Sequence, residues 1–188
     1  MGKNELIHQY KEMHKDENLY AGSTINIHGT SIGQLIGETK TATILDYGCG
    51  KAIQYLKENG HEQYYNGIMP SLYDPGVTKY SKLPDELFDG VICTDVLEHV
   101  EGEDLDSIIK EIFTKANKFV YFGICNVPAD SYLPDGRNSH VTLKSFDWWV
   151  NKVFLLSNPD VITQVYCYGI TKGNSMWTNN KIIFRKER

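Results

Sequence analysis

Several protein classes are excluded by what this chain lacks. Its four cysteines, Cys49, Cys93, Cys125 and Cys167, are widely spread with no C-x-x-C pair. Neither a disulfide framework nor a metal site is expected, and the thiols read as reduced, mostly buried small hydrophobes. No run comes near the roughly eighteen apolar residues needed to cross a bilayer, and the charged amino terminus has no apolar core of signal-peptide length. The expectation is therefore a protein that stays in the cytosol. Acids outnumber bases, 24 Asp and Glu against 19 Lys and Arg, for a net charge of −5. No basic block can neutralise successive phosphates, so duplex nucleic acid is a disfavoured partner. Charge alone leaves RNA and protein substrates open. Repeats and low-complexity tracts are also missing, and 188 residues suffice for one domain with a substantial core, which is the organisation expected. The expected organisation is a helical lid segment over 1–40 and a core over 41–188.

Against these absences stands one dense stretch, Ile44-Leu45-Asp46-Tyr47-Gly48-Cys49-Gly50-Lys51-Ala52. It reads as a strand ending in a carboxylate, then a glycine turn, then a helix. Glycines at 48 and 50 permit positive φ and remove Cβ atoms that would hold a ligand off the backbone. The helix after them would aim its free N–H groups at the same point. A second stretch, Phe88-Asp89-Gly90-Val91-Ile92-Cys93-Thr94-Asp95-Val96-Leu97-Glu98-His99-Val100, is an apolar strand running into a short helical turn that carries acidic and imidazole groups.

The remaining pattern alternates between helix and strand. Leu6, Ile7, Tyr10 and Met13 recur at helical spacing behind a candidate cap at Asn4. Gly22, Gly29 and Gly33 punctuate the next segment, and Ile32, Leu35 and Ile36 suggest a helical turn before a strand over 43–46. Ala52, Tyr55 and Leu56 mark one face of a helix that Asn59-Gly60 should end. Leu105, Ile108, Ile109, Ile112, Phe113 and Ala116 form a helical stripe behind the acids Glu101, Glu103 and Asp104, which suit a helix N-terminus. A buried strand is expected over 119–124, then a turn-rich loop from Val127-Pro128 to Asn138. Ser145 then caps a helix with Phe146, Trp149, Val150 and Val153 on one face. Strands over 161–168 and 181–185, joined around Gly173-Asn174, close the chain as an antiparallel hairpin. This alternation argues for an α/β fold with helices on both faces of a sheet.

With the glycine turn and the FDGVICTDVLEHV stretch in this order and spacing, the chain resembles the class I S-adenosylmethionine-dependent methyltransferases. The likeness runs from about Tyr10 to the last strand and is nearest to compact bacterial and phage-type members. It implies a Rossmann-like, doubly wound, mostly parallel sheet. Only Gly76 to Leu87 separates two expected strands, so the third-strand region should be abbreviated. The resemblance also implies S-adenosylmethionine as cofactor and methyl transfer to an oxygen or nitrogen of a small-molecule or glycan-like acceptor. By the same resemblance Asp46, Tyr47, Gly48 and Gly50 hold the methionine end, and Thr94 and Asp95 stand at the next strand end.

Relatives place a ribose-binding acid at the end of their second strand, and two registers compete for it here. Gly67-Ile68-Met69-Pro70 has the right phrase, but Met69 stands where the acid should be and is only a weak acceptor. Ser71-Leu72-Tyr73-Asp74-Pro75 ends in a carboxylate that Pro75 biases toward extended geometry, and Asp74 is the choice. No acid matches an adenine-binding position, although Lys82-Leu83-Pro84-Asp85 lies nearby. His140, in the loop with Arg137 and Asn138, and His99 are the candidate acid–base residues, since imidazole titrates near working pH. Tyr10, His14 and Tyr20 are candidates for a lid over the cofactor. Two rival readings are a cofactor-binding module without turnover and a nucleic-acid methyltransferase. Against the second stands Asp95-Val96-Leu97-Glu98, where amino-methylating enzymes carry an Asn- or Asp-Pro-Pro-aromatic signature.

Overall fold

A computed structural model describes residues 3–17, 19–169 and 179–187. The chain forms α1 (Lys3–Met13), α2 (Ile25–Thr39), β1 (Ile44–Tyr47), α3 (Ile53–Leu56), α4 (Gly60–Tyr64), β2 (Ser71–Tyr73), β3 (Phe88–Thr94), α5 (Leu105–Thr114), β4 (Ala116–Cys125), α6 (Phe146–Leu156), β5 (Ile162–Tyr168) and β6 (Asn180–Phe184). The six strands make one sheet in the order β2-β1-β3-β4-β5-β6. All neighbours are parallel except β5 and β6. This is the α/β architecture expected, with its closing antiparallel pair. Between β2 and β3 there is only a 3₁₀ turn, Thr78–Tyr80, so the region is abbreviated as the short spacer implied.

Strand alternation divides the core into two layers. Leu45, Val91, Cys93, Val120, Phe122 and Val165 face α5 and α6, meeting Ile109, Ile112, Trp149 and Val153. Ile44, Ile92, Phe119 and Tyr121 face the other way, onto Ile32, Leu35 and Ile36 of α2 and onto Tyr55 and Tyr65. The α5 stripe is buried as its spacing requires, except that the helix ends at Thr114 and Ala116 opens β4. Ser145 caps α6 by accepting from the Trp148 N–H at 3.3 Å. α1 begins at Lys3, which puts Asn4 inside its first turn. The turn expected at Gly173-Asn174 lies outside the described residues.

Two local expectations are corrected. Gly29 and Gly33 do not punctuate; they lie within the fifteen-residue α2. A Cβ on Gly29 would stand 2.5 Å from the Tyr64 ring, and one on Gly33 would stand 2.5 Å from the Tyr64 carbonyl. Their absence of side chain lets α4 approach α2 closely, a packing use that spacing cannot reveal. At Asn59-Gly60 it is Asn59 that takes the left-handed conformation, with φ 52°, and Gly60 starts α4. Leu56 is exposed while Gln54 and Tyr55 are buried, so the single turn of helix turns these two inward and leaves the expected apolar face incomplete.

Candidate functional site

The carboxyl ends of β1, β2 and β3 open onto a cavity of about 310 Å³, the position where open parallel sheets bind ligands. Its wall includes Asp46, Tyr47, Gly48, Gly50, Asp74, Thr94, Asp95 and His99, together with Tyr10, His14 and Tyr20 from the amino-terminal segment. All seven residues expected around a cofactor, and one of the two histidines, therefore share one enclosure. His140 is not in this wall but packs edge-on against the His99 ring, with centroids 4.6 Å apart.

Asp46 lies in the buried stretch of β1 and is itself 1% exposed. Its Oδ2 accepts from the Tyr55 hydroxyl at 2.8 Å and from the Gln54 amide at 3.4 Å, whereas Oδ1 has no partner. Burial raises this carboxyl to about 7; the Tyr55 bond opposes the rise, and the negative charge of Asp74 adds to it. Gln54 also accepts the Ile25 N–H at 2.9 Å, tying the start of α2 to the floor of the site. Sequence reading missed Gln54 and Tyr55 as partners of Asp46, because a pair one turn beyond the glycines has no signature of its own.

Asp74 follows β2 directly, in the register chosen for it, while Met69 lies outside the strand and is exposed. The Gly50 N–H donates to Asp74 Oδ2 at 2.9 Å and the Gly76 N–H to Oδ1 at 2.7 Å. His14 Nε2 lies 3.8 Å from the same Oδ1. Burial depresses the His14 imidazole against the pull of Asp74.

The glycine turn differs from expectation in one respect: its N–H groups are not free. Gly48 and Cys49 donate to the Tyr73 carbonyl, and Lys51, Ile53 and Gln54 donate to the carbonyls of Tyr20, Ala21 and Gly22. The amino-terminal segment thus satisfies the helix donors that a ligand was expected to use. Gly22 makes this docking possible, since a Cβ there would sit 2.2 Å from the Cys49 carbonyl. Gly48, at φ 90°, has its missing Cβ position filled by Val96, 2.2 Å away. Tyr47 reaches the opposite layer, where its hydroxyl bonds Glu111 of α5.

Asp95 leaves β3 with φ 58°, a conformation that side chains seldom adopt. The Tyr168 hydroxyl donates to its Oδ1 at 2.6 Å, and His28 Nε2 stands 3.7 Å from Oδ2. Burial acts to raise this carboxyl, but His28, Tyr168 and Thr24 outweigh burial and hold it below its ordinary value. His28 enters the sheet face because Gly123 of β4 has no Cβ; one there would lie 2.5 Å from the ring. A glycine inside an apolar strand was the available signal for this close approach.

Beyond Asp95, a 3₁₀ turn over Leu97–His99 turns Glu98 inward and His99 toward the cavity. Glu98 is fully buried; its Oε1 accepts the Cys125 N–H at 2.7 Å and its Oε2 has no partner. Burial, with Asp95 beside it, pushes this carboxyl well above the usual range. His99 is lowered to about 4, chiefly by burial and then by His140. Burial also lowers His140.

The amino-terminal segment covers this side. Leu6 and Met13 of α1 pack with Leu133 of the loop after β4. The Gln9 amide donates to Asp135 at 2.9 Å, and the Tyr10 hydroxyl donates to the Ser139 carbonyl at 2.8 Å. Arg137, a neighbour of His140 in the sequence, pairs with Glu101 and Asp135.

No protein-family model, no curated protein and no solved structure matches this chain. Among the described residues, no helix is long and apolar enough to cross a membrane.

Proposed function

We propose that this chain transfers a methyl group from S-adenosylmethionine to an oxygen or nitrogen of a small-molecule or glycan-like acceptor. The observation that carries the reading is the unpartnered, buried Oδ1 of Asp46 at the wall of the cavity. An isolated buried carboxylate oxygen is unfavourable, and a cationic amino group of a ligand would relieve it. An amino-acid ammonium is such a group, and the cofactor carries one.

The other residues fit the same ligand. Asp74 spends one lone pair of Oδ2 on the glycine turn and one of Oδ1 on the Gly76 N–H, and keeps a second on each for ribose hydroxyls. Tyr47, Gly48, Gly50 and Thr94 complete the wall around it. Because the donors of the turn are internally bonded, recognition of the methionine end falls to Asp46. The cofactor supplies an electrophilic methyl carbon on a sulfonium; the protein's part is to hold donor and acceptor in line and keep water out. Tyr10, His14 and Tyr20 lie where they would exclude that water.

Calorimetric titration with S-adenosylmethionine and S-adenosylhomocysteine tests the proposal. Saturable binding of both is expected, along with a gain of one CH₂ by an acceptor in fractionated metabolites, read by mass spectrometry. No heat at millimolar cofactor would end the reading. Binding without any methylated product would favour a regulatory or scaffold module.

A further inference from the structure

We propose that Glu98, His99 and His140 form a binding site for one divalent first-row transition-metal ion. One ligating atom from each of the three lies within 4.8 Å of the other two. Metal–nitrogen and metal–oxygen bonds of about 2.0–2.2 Å bring ligands to roughly 3–4 Å of one another. Closing onto an ion thus asks for side-chain shifts on the order of 1 Å.

Hydrogen bonding around the cluster has the form that ligands require. The ring Nδ1 of His99 lies 2.9 Å from the Ser139 carbonyl, and that of His140 is bonded to the Val127 carbonyl. A carbonyl only accepts, so each Nδ1 carries the proton. Each neutral ring then presents Nε2 as a lone pair, the tautomer and orientation seen in metal-ligating histidines. Glu98 is fixed likewise, with Oε1 held by the Cys125 N–H and Oε2 buried and unpartnered. Protonating Glu98 does not resolve this, because the resulting O–H has no acceptor either. A cation at Oε2 resolves it.

The electrostatics agree. Burial favours the neutral form of both imidazoles, and the Asp95 carboxylate acts on all three groups, adding negative potential where a cation would sit. Two imidazoles and a carboxylate suit zinc, manganese, iron, cobalt or nickel rather than magnesium or calcium, and three protein ligands leave coordination positions open. Ligation replaces the acid–base role that the sequence suggests for the two histidines, since a lone pair given to a metal is closed to a proton. It also departs from the expectation of no metal, which rested on the cysteines alone. On the methyltransferase reading, an ion beside His99 stands where an acceptor hydroxyl could join it.

The test needs neither donor nor acceptor, so its failure is separate from failure of the methyltransferase reading. Chelator-stripped full-length protein is titrated with Co²⁺, following visible d–d absorption and, in parallel, calorimetric heat. One equivalent is expected to bind. His140→Ala and Glu98→Gln should each weaken the affinity at least tenfold, as expected for loss of a ligand, while a variant lacking the ring of His8 should bind as before. Circular dichroism establishes that the Glu98→Gln protein, nearly isosteric, remains folded. No binding by the wild-type protein, or undiminished affinity in a His99→Ala/His140→Ala double variant, would overturn the proposal.

Discussion

The two sides of the cavity treat their polar groups differently. On the glycine-turn side the chain has satisfied nearly everything itself: Asp74 is held by two backbone N–H groups, and the donors that open α3 are taken by carbonyls of residues 20–22. Asp46 Oδ1 and the Nδ1 of His14 are left over. On the side of Glu98 the donors of two imidazoles are tied back to carbonyls while their acceptor capacity, and one carboxyl oxygen, remain unused. The first arrangement makes a wall braced from within, with few polar atoms left over. The second concentrates several lone pairs on one spot. A group's capacity to bind is thus read from what its neighbours leave unpaired rather than from its identity.

The largest expected effect would sharpen the picture of Asp46 as an open point in that wall. Its carboxyl rises from an ordinary 3.8 to about 7 in the fold. A raised carboxyl contributes its stability below the unfolded value and loses it as pH climbs through the folded one. Asp46→Asn should therefore be more stable than wild type at pH 8, by up to roughly 4 kcal/mol at about 1.4 kcal/mol per pH unit. The advantage should fade toward pH 4. Urea midpoints across that range check the trend; a constant difference would mean that Asp46 is not held partly protonated. The same variant should bind S-adenosylmethionine poorly.

Asp74→Ala tests the braced wall. It strips partners from the Gly50 and Gly76 N–H groups, and about 2–4 kcal/mol should be lost. Thermal denaturation would then fall by roughly 5–15 °C, and cofactor affinity should drop with it. Affinity close to wild type would move ribose binding elsewhere. Gly123→Ala should push His28 away from Asp95 and lower stability by about 1–3 kcal/mol, and an unshifted melting curve would show that the ring yields freely. Smaller still, Ser145→Ala, remote from both walls, should lose about 1 kcal/mol of helix capping with cofactor affinity unchanged. A change in affinity there would show that the two walls are not independent of α6.

Much of this was legible in the sequence because it is local. The glycine turn, the α5 stripe, the Ser145 cap and the placing of Asp74 rather than Met69 at the end of β2 depend on residues within a few positions of one another. Long-range closeness was not legible. That Gly29 and Gly33 admit Tyr64, or that Gly123 admits His28, depends on which surfaces meet, and glycine alone is equally a sign of a turn. The docking of residues 20–22 on the glycine turn uses backbone atoms, whose one residue signature is Gly22, and that glycine is equally a sign of a turn. Glu98, His99 and His140 were visible singly, but their meeting requires β4 and the loop after it to return beside β3.

The order of strands also fixes which two strands lie at the margins of the sheet. A sheet ends in two unpaired margins, each a template on which another chain could grow. Here one margin, β2, is only three residues long. The other, β6, runs opposite to the rest, with Lys181 within it and Arg185 and Lys186 just beyond. Ile182 and Ile183 on that border are partly exposed, but like charges flanking them would repel a second copy brought alongside. Brevity at one rim and cationic gatekeeping at the other both disfavour strand-by-strand growth onto this sheet.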